Sequence, residues 1–302
     1  NNELGGANPL MVTTSAQGLV LATANGNVSE MAAAIRSTLA AGYSHFAVTS
    51  GINIKPMNFN PGGRFNIAVI GDSISLGAWS SLTAAEWPYL GYVGQLRSAL
   101  ISMGYVDGGE GYISPLRTYA WVMTGTFATV AGESFSDTCY SATNASNYWT
   151  LTTPSPCDVF DLWLIDGAGA NDFEVTVDGG APITVTVPKL ANSERISRRI
   201  PLGAVGIHTI VVKAPESGNI YFLGGAIYKG DSGIVIHNFS KSGEAAVGFA
   251  SSSANKFRVF GLINPRITIC AVLANDYGAA ATPVATYASR IDQICMRSRQ
   301  YG

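Results

Sequence analysis

The chain has 302 residues, 18 basic against 20 acidic side chains, a formal net charge of −2 and only 13% charged residues. That balance excludes a broadly basic nucleic-acid surface, and 47% hydrophobic residues exclude a disordered chain. No run of about 18 apolar residues is present to span a membrane as a helix, and the length suits roughly two domains at about 150 residues each.

Residues 1–63 read as a leading module and linker. The chain opens on Asn1-Asn2, with neither an initiator Met nor a charged-then-apolar leader, as expected of a processed or recombinant product, so targeting is not read from this end. Asn27 and Glu30 have capping-box spacing, and Met31, Ile35 and Leu39 share one helical face. Gly42 is placed to stop that helix, and a short strand follows over 45–49. The run Asn60-Pro61-Gly62-Gly63 then reads as a linker.

The texture changes at Arg64. Asn66–Ile70 is almost wholly apolar and rich in β-branched residues, which suits a buried parallel strand. It runs into Gly71-Asp72-Ser73-Ile74-Ser75. Leu90, Val93, Leu96, Leu100 and Met103 then mark one face of a helix that Gly104 ends. Strand, tight turn and helix in that order open an α/β sheet, assigned here to residues 64–114.

Residues 115–232 read as all-β. Phe173, Val175 and Val177 alternate with polar residues, Asp178-Gly179-Gly180 makes a turn, and Ile183, Val185 and Val187 alternate again, predicting a hairpin. Further strands are expected over 207–212 and 220–227. The stretch 134–156 is rich in Ser, Thr and Asn and is expected as loop or edge. A β-sandwich inserted into an α/β domain accounts for this pattern most simply.

The α/β texture resumes over 233–302. Ile234–Ile236 is an apolar strand leading to His237-Asn238 and then Ser240-Lys241-Ser242-Gly243-Glu244. Ile267–Leu273 is another, leading to Ala274-Asn275-Asp276. Thr282 is placed to cap a final helix begun by Pro283, with Val284, Tyr287, Ile291 and Ile294 inward and Gly302 as its C-terminal cap.

Cys139, Cys157, Cys270 and Cys295 form no C-x-x-C pair, and His45, His208 and His237 are remote from them in sequence, so zinc-ligand spacing is absent. Cys139 and Cys157 could bridge in a secreted protein, whereas Cys270 and Cys295 sit in apolar patterns and read as small core residues. His237 reads as a packed strand-end histidine rather than a catalytic one.

Three polar clusters thus follow three apolar strands, and the carboxyl ends of parallel strands line the ligand crevice of an open sheet. Ser73 is placed to present its hydroxyl and its own backbone N–H. Gly243, lacking a Cβ, lets a second N–H approach, and Asn275 offers a side-chain amide. Two backbone donors and one amide suit an oxyanion hole.

These residues resemble the SGNH, or GDSL-type, hydrolases. Ile70–Ser75 is similar to their block I, His237–Gly243 to block II and Leu273–Asp276 to block III, where Leu273 replaces the usual glycine. The resemblance covers about 64–114 and 233–302. It implies a flavodoxin-like three-layer α/β hydrolase domain interrupted by an all-β sandwich module. It also implies serine esterase chemistry with Ser73 as nucleophile, Gly243 and Asn275 as oxyanion donors, and no cofactor or metal.

The family's fourth element, Asp-x-x-His, does not occur in this chain. The hydrolase portion is therefore expected to be incomplete at its C-terminus, with the base supplied by a segment or fragment beyond Gly302. The expected substrate is an acylated, most simply O-acetylated, carbohydrate, and the β insert is the expected sugar-binding module. Trp149, Trp163, Tyr148 and Tyr221 are its candidate stacking residues, although core or loop packing is the simpler expectation for any single one of them. The rival expectation is a receptor- or glycan-binding virion module, such as a phage tail spike, on an inactive hydrolase scaffold. Both settings are extracellular or virion-associated, involve no nucleic acid, and leave a homo-oligomer open.

Overall fold

The computed structural model describes residues 11–15, 18–22, 63–78, 80–81, 83, 85–115, 120–130, 139–142, 144, 146–167, 170–189, 194–214, 219–250, 254–272, 274–277 and 282–302. The helix expected over 27–42 and the strand over 45–49, with His45, lie outside these residues, as does Leu273.

Strands β1 (Met11–Ser15) and β2 (Gly18–Ala22) pair antiparallel. Strand β3 (Arg64–Gly71) carries block I to a single helical turn, α1 (Ser73–Leu76), then α2 (Trp87–Leu90) and α3 (Tyr92–Ser102). Val93, Leu96 and Leu100 of α3 are buried as its periodicity predicts. Leu90 and Met103 are exposed, because the helix is shorter than the apolar spacing implied.

The β-rich segment comprises β4 (Gly111–Ile113), β5 (Trp121–Thr124), β6 (Ala128–Val130), β7 (Cys139–Ala142), β8 (Tyr148–Thr152), β9 (Cys157–Ile165), β10 (Phe173–Val177), β11 (Ile183–Val185), β12 (Arg195–Gly206), β13 (Thr209–Lys213) and β14 (Ile220–Tyr228). They form two antiparallel sheets, β11-β10-β13-β8-β5 and β12-β9-β14-β7-β6, with β4 added on β14. The expected hairpin is present: β10 pairs β11, and Asp178 and Gly179 take the positive φ values that turn them back. The stretch 134–156 departs from its expected loop character. Its β7 and β8 are paired strands, and Trp149 and Leu151 alternate inward between exposed or half-buried threonines.

Trp121, Trp149 and Val175 from one of these sheets share a core with Phe160, Leu162 and Phe222 from the other. Burying each such side chain is worth roughly 1.5–3 kcal/mol over leaving it exposed.

Strand β15 (Gly233–Asn238), helices α4 (Ala246–Ala250), α5 (Ala254–Phe257) and α6 (Phe260–Ile263), strand β16 (Ile267–Ala271), and helices α7 (Ala274–Tyr277) and α8 (Val284–Tyr301) complete the chain. The remaining sheet has the order β1-β2-β16-β3-β15, and β2, β16, β3 and β15 are mutually parallel. Met11–Ser15 and Gly18–Ala22 of the leading segment therefore belong to this sheet, beside β16. Nothing in their local pattern signals a partner some 250 residues away in sequence.

Alternation along β3 divides the parallel sheet's two faces. Phe65, Ile67 and Val69 pack with α3, whereas Ala68 and Ile70 face a core containing Phe249, Phe260, Ile291 and Ile294 of the later helices. Trp163 and Ile165 of β9 and Leu223 and Tyr228 of β14 join that second core, so those two strands are buried on both faces. Trp163 stacks on Tyr112 at a centroid separation of 4.9 Å and bridges toward Phe239. Trp149 and Trp163, candidates for sugar stacking for which core packing is the simpler expectation, are both core residues, 0% and 1% exposed.

All four cysteines are free and buried, so the bridge considered for Cys139 and Cys157 is absent. Burial pushes the Cys139 thiol up to about 12 and Cys157 to about 11.

Candidate active site

Three strands of the parallel sheet, β3, β15 and β16, each end in one polar cluster, and hydrogen bonds between their loops draw the three together. Gly71 ends β3 with so little room that a Cβ there would lie 2.0 Å from Ser75 Oγ. Asp72, 1% exposed, caps α1 by accepting from the N–H of Ile74 at 2.9 Å. Its other oxygen accepts from the N–H of Ala274 at 3.2 Å, tying block I to block III. Ser73 begins α1, half-buried, next to the 58%-exposed Ile74. No described residue hydrogen-bonds its hydroxyl.

Block II is tied to the same point. Asn238 donates to the carbonyl of Ser75 at 2.7 Å, and the N–H of Lys241 donates to that of Gly71 at 2.9 Å. Gly243 sits on the exposed turn that follows, at φ +73°, a conformation that favours glycine even though space around it is open. Lys241 and Glu244 pair across this turn at 2.7 Å.

Block III forms a helical turn, α7, rather than a simple loop. Asn275 donates one amide hydrogen to the carbonyl of Glu244 at 2.9 Å, which fixes its side chain. An amide nitrogen carries two hydrogens, so a second donor remains for a ligand. Asp276, 2% exposed, accepts from the N–H of Ala246 at 2.6 Å through Oδ2. Its Oδ1 accepts from Thr282 at 3.3 Å and Arg290 at 3.4 Å. Thr282 was expected to cap α8 and instead serves this carboxylate; the cap position is Pro283, and Val284 is 84% exposed rather than inward. Asp276, Thr282 and Arg290 thus support the block III turn. Sequence spacing gave Asp276 through its motif, but no local signal joined it to the other two.

Both described histidines are held elsewhere. His237 is wholly buried against Trp163, Tyr228 and Phe239, with Nε2 at 3.3 Å from Asn66 Oδ1. Asn66 donates its own amide to Ile263, so its oxygen accepts and His237 carries its proton on Nε2. Burial, reinforced by the Arg64 charge, pulls the imidazole down to about 3. His208 pairs through Nδ1 with Asp178 at 2.7 Å and through Nε2 with the Ala204 carbonyl at 3.0 Å, within the β-rich segment. Neither side chain is presented to Ser73. Among the described residues no group of three or more His, Cys, Asp or Glu side chains could hold a metal.

No protein-family model matches the chain, and no curated protein matches it in sequence. Among solved structures it is similar to a peptidoglycan O-acetylesterase, with TM-score 0.52 and 16% identity over 78% of this chain and 65% of that one. The chain therefore spans just under two thirds of that protein, and the likeness establishes a shared fold. Looser similarities reach a two-domain esterase active on acetylated mannans (TM-score 0.33, 11% identity, 48% of this chain and 47% of that one). Another is to a family 35 carbohydrate binding module from Clostridium thermocellum (TM-score 0.29, 13% identity, 36% of this chain and 93% of that one). These two superpose too loosely to carry weight.

Proposed function

We propose that the chain carries the nucleophile and oxyanion donors of an SGNH-type serine esterase that removes O-acetyl groups from a polysaccharide. The observation that carries this reading is the lacing of the three loops, with Asp72 bridging to Ala274 and Asn275 bridging to Glu244. Such cross-bracing fixes the three loops relative to one another, and fixed donors are the physical requirement of an oxyanion hole. The fold shared with a peptidoglycan O-acetylesterase supports the same chemistry and a three-layer α/β arrangement with an inserted sandwich.

In this mechanism Ser73 Oγ attacks the acetyl carbonyl. The N–H groups of Ser73 and Gly243 and the free hydrogen of Asn275 hold the tetrahedral oxyanion, and collapse expels the sugar hydroxyl. Water then hydrolyses the acetyl-enzyme. The proton passes through a histidine outside the described residues, since His208 and His237 are both engaged away from Ser73. The working location is extracellular or on a virion, where such glycans are met.

The commitment of both described histidines also favours a second reading, a glycan-binding module on an inactive scaffold. Turnover of p-nitrophenyl acetate by the full gene product separates the two. The esterase reading expects hydrolysis that Ser73→Ala abolishes; glycan binding without any turnover supports the module.

A further inference from the structure

Between α3, β4 and the end of β15 lies a partly open crevice of about 90 Å³, room for several ordered waters. One wall is the back of the nucleophile turn. Leu76 lies three residues along α1 from Ser73, and Asn238 is the residue that holds the Ser75 carbonyl. Pro88 and Tyr89 of α2 form a second wall. They are pressed onto α3 so closely that a Cβ on Gly94 would lie 2.2 Å from the Pro88 carbonyl oxygen. Tyr89 is 37% exposed, so part of it remains open to a ligand.

The crevice's charged lining is one neutralised pair. Arg97 donates to Asp107 at 2.7 and 3.2 Å and to Glu110, so every nitrogen of its guanidinium faces a carboxylate. Lys229 balances Asp107 in turn. A phosphate or uronate would find no uncommitted cation among the described residues that line it. A neutral polyol would find carboxylate and amide groups for its hydroxyls and apolar carbon surface for its C–H face, which is how sugars are held.

We infer that this crevice binds one neutral pyranose unit of the glycan chain, a positioning subsite beside the reacting ester. The inference takes its substrate class from the esterase reading, but its binding test is independent of turnover. Ser98 is exposed on the crevice wall and takes no part in the three-loop site, so Ser98→Trp fills the space without touching the core.

The test titrates the Ser73→Ala chain calorimetrically with manno-, xylo-, cello- and chito-pentaose. At least one should bind, and Ser98→Trp in that background should weaken it about tenfold or more, while Ser98→Ala does not. Tyr89→Ala should weaken it similarly and Tyr89→Phe should restore it, with unchanged thermal melting showing that each variant folds. With Ser73 intact, Ser98→Trp should raise KM for the O-acetylated polymer of that sugar and leave p-nitrophenyl acetate turnover unaltered. Binding indifferent to Ser98→Trp, or no binding by any of the four, overturns the inference. Crevice-dependent binding without hydrolysis overturns the esterase reading and leaves the subsite standing.

Discussion

Acidification should unfold this protein in a way that a single buried imidazole dominates. His237 is 0% exposed, its Nδ1 is buried without a hydrogen-bond partner among the described residues, and its folded-state value lies near 3 against the ordinary 6.5. The unfolded chain therefore binds a proton between pH 6.5 and 3 that the folded chain refuses. A depressed histidine contributes stability that is fully present above pH 6.5 and is lost as pH falls toward 3. The slope is about 1.4 kcal/mol per pH unit. Over the 3.5-unit gap from 6.5 to 3 that amounts to about 5 kcal/mol, comparable with the total stability of many domains.

The assay is urea unfolding followed by tryptophan fluorescence between pH 8 and 4.5, for the wild type and His237→Phe. Phenylalanine suits the surrounding ring column but leaves Asn66 without its donor, so the variant should be less stable by about 1–3 kcal/mol at pH 8. The informative quantity is the slope, since carboxylate titration is common to both proteins. Below pH 6.5 the wild type should lose stability faster than the variant by about 1.4 kcal/mol per unit. Parallel pH profiles would refute the reasoning.

Gly71→Ala should cost about 1–3 kcal/mol in urea unfolding, because the new methyl meets Ser75; adding Ser75→Gly should recover much of the loss. Asn275→Ala should lower kcat for p-nitrophenyl acetate by about 100-fold or more with KM little changed, as expected for a donor that acts in the transition state. His208 is pulled down by burial but raised more strongly by the Asp178 carboxylate and the Ala204 carbonyl, for a net upward shift. The stability this pair supplies is present below 6.5 and lost as pH rises through the raised value, so Asp178→Asn should move the His208 NMR titration midpoint downward.

The strands that carry the site were legible because buried parallel strands advertise themselves. Asn66–Ile70 and Ile234–Ile236 are short apolar runs that each lie within an observed strand, and the strand expected over Ile267–Leu273 is observed over Ile267–Ala271. Ser73, Gly243 and Asn275 stood out by following those runs, and the loops that carry them are hydrogen-bonded together. What escaped was non-local. β2 is a parallel neighbour of β16, yet Gly18–Ala22 is a five-residue run whose pairing no local pattern encodes. β8 was hidden by composition, its Trp149 and Leu151 masked by flanking Ser, Thr and Asn, although the period of two was there. The bracing carboxylates Asp72 and Asp276 bind backbone N–H groups 202 and 30 residues away, partners that carry no side-chain signature.

The central claim is that Ser73 is a nucleophile held among converged donors, and acetate release tests it most directly. The full gene product and its Ser73→Ala variant are incubated with an O-acetylated polysaccharide, and free acetate is measured over time. The account predicts steady release by the wild type, with the variant at least about a thousandfold slower. Equal rates from the two proteins would contradict it.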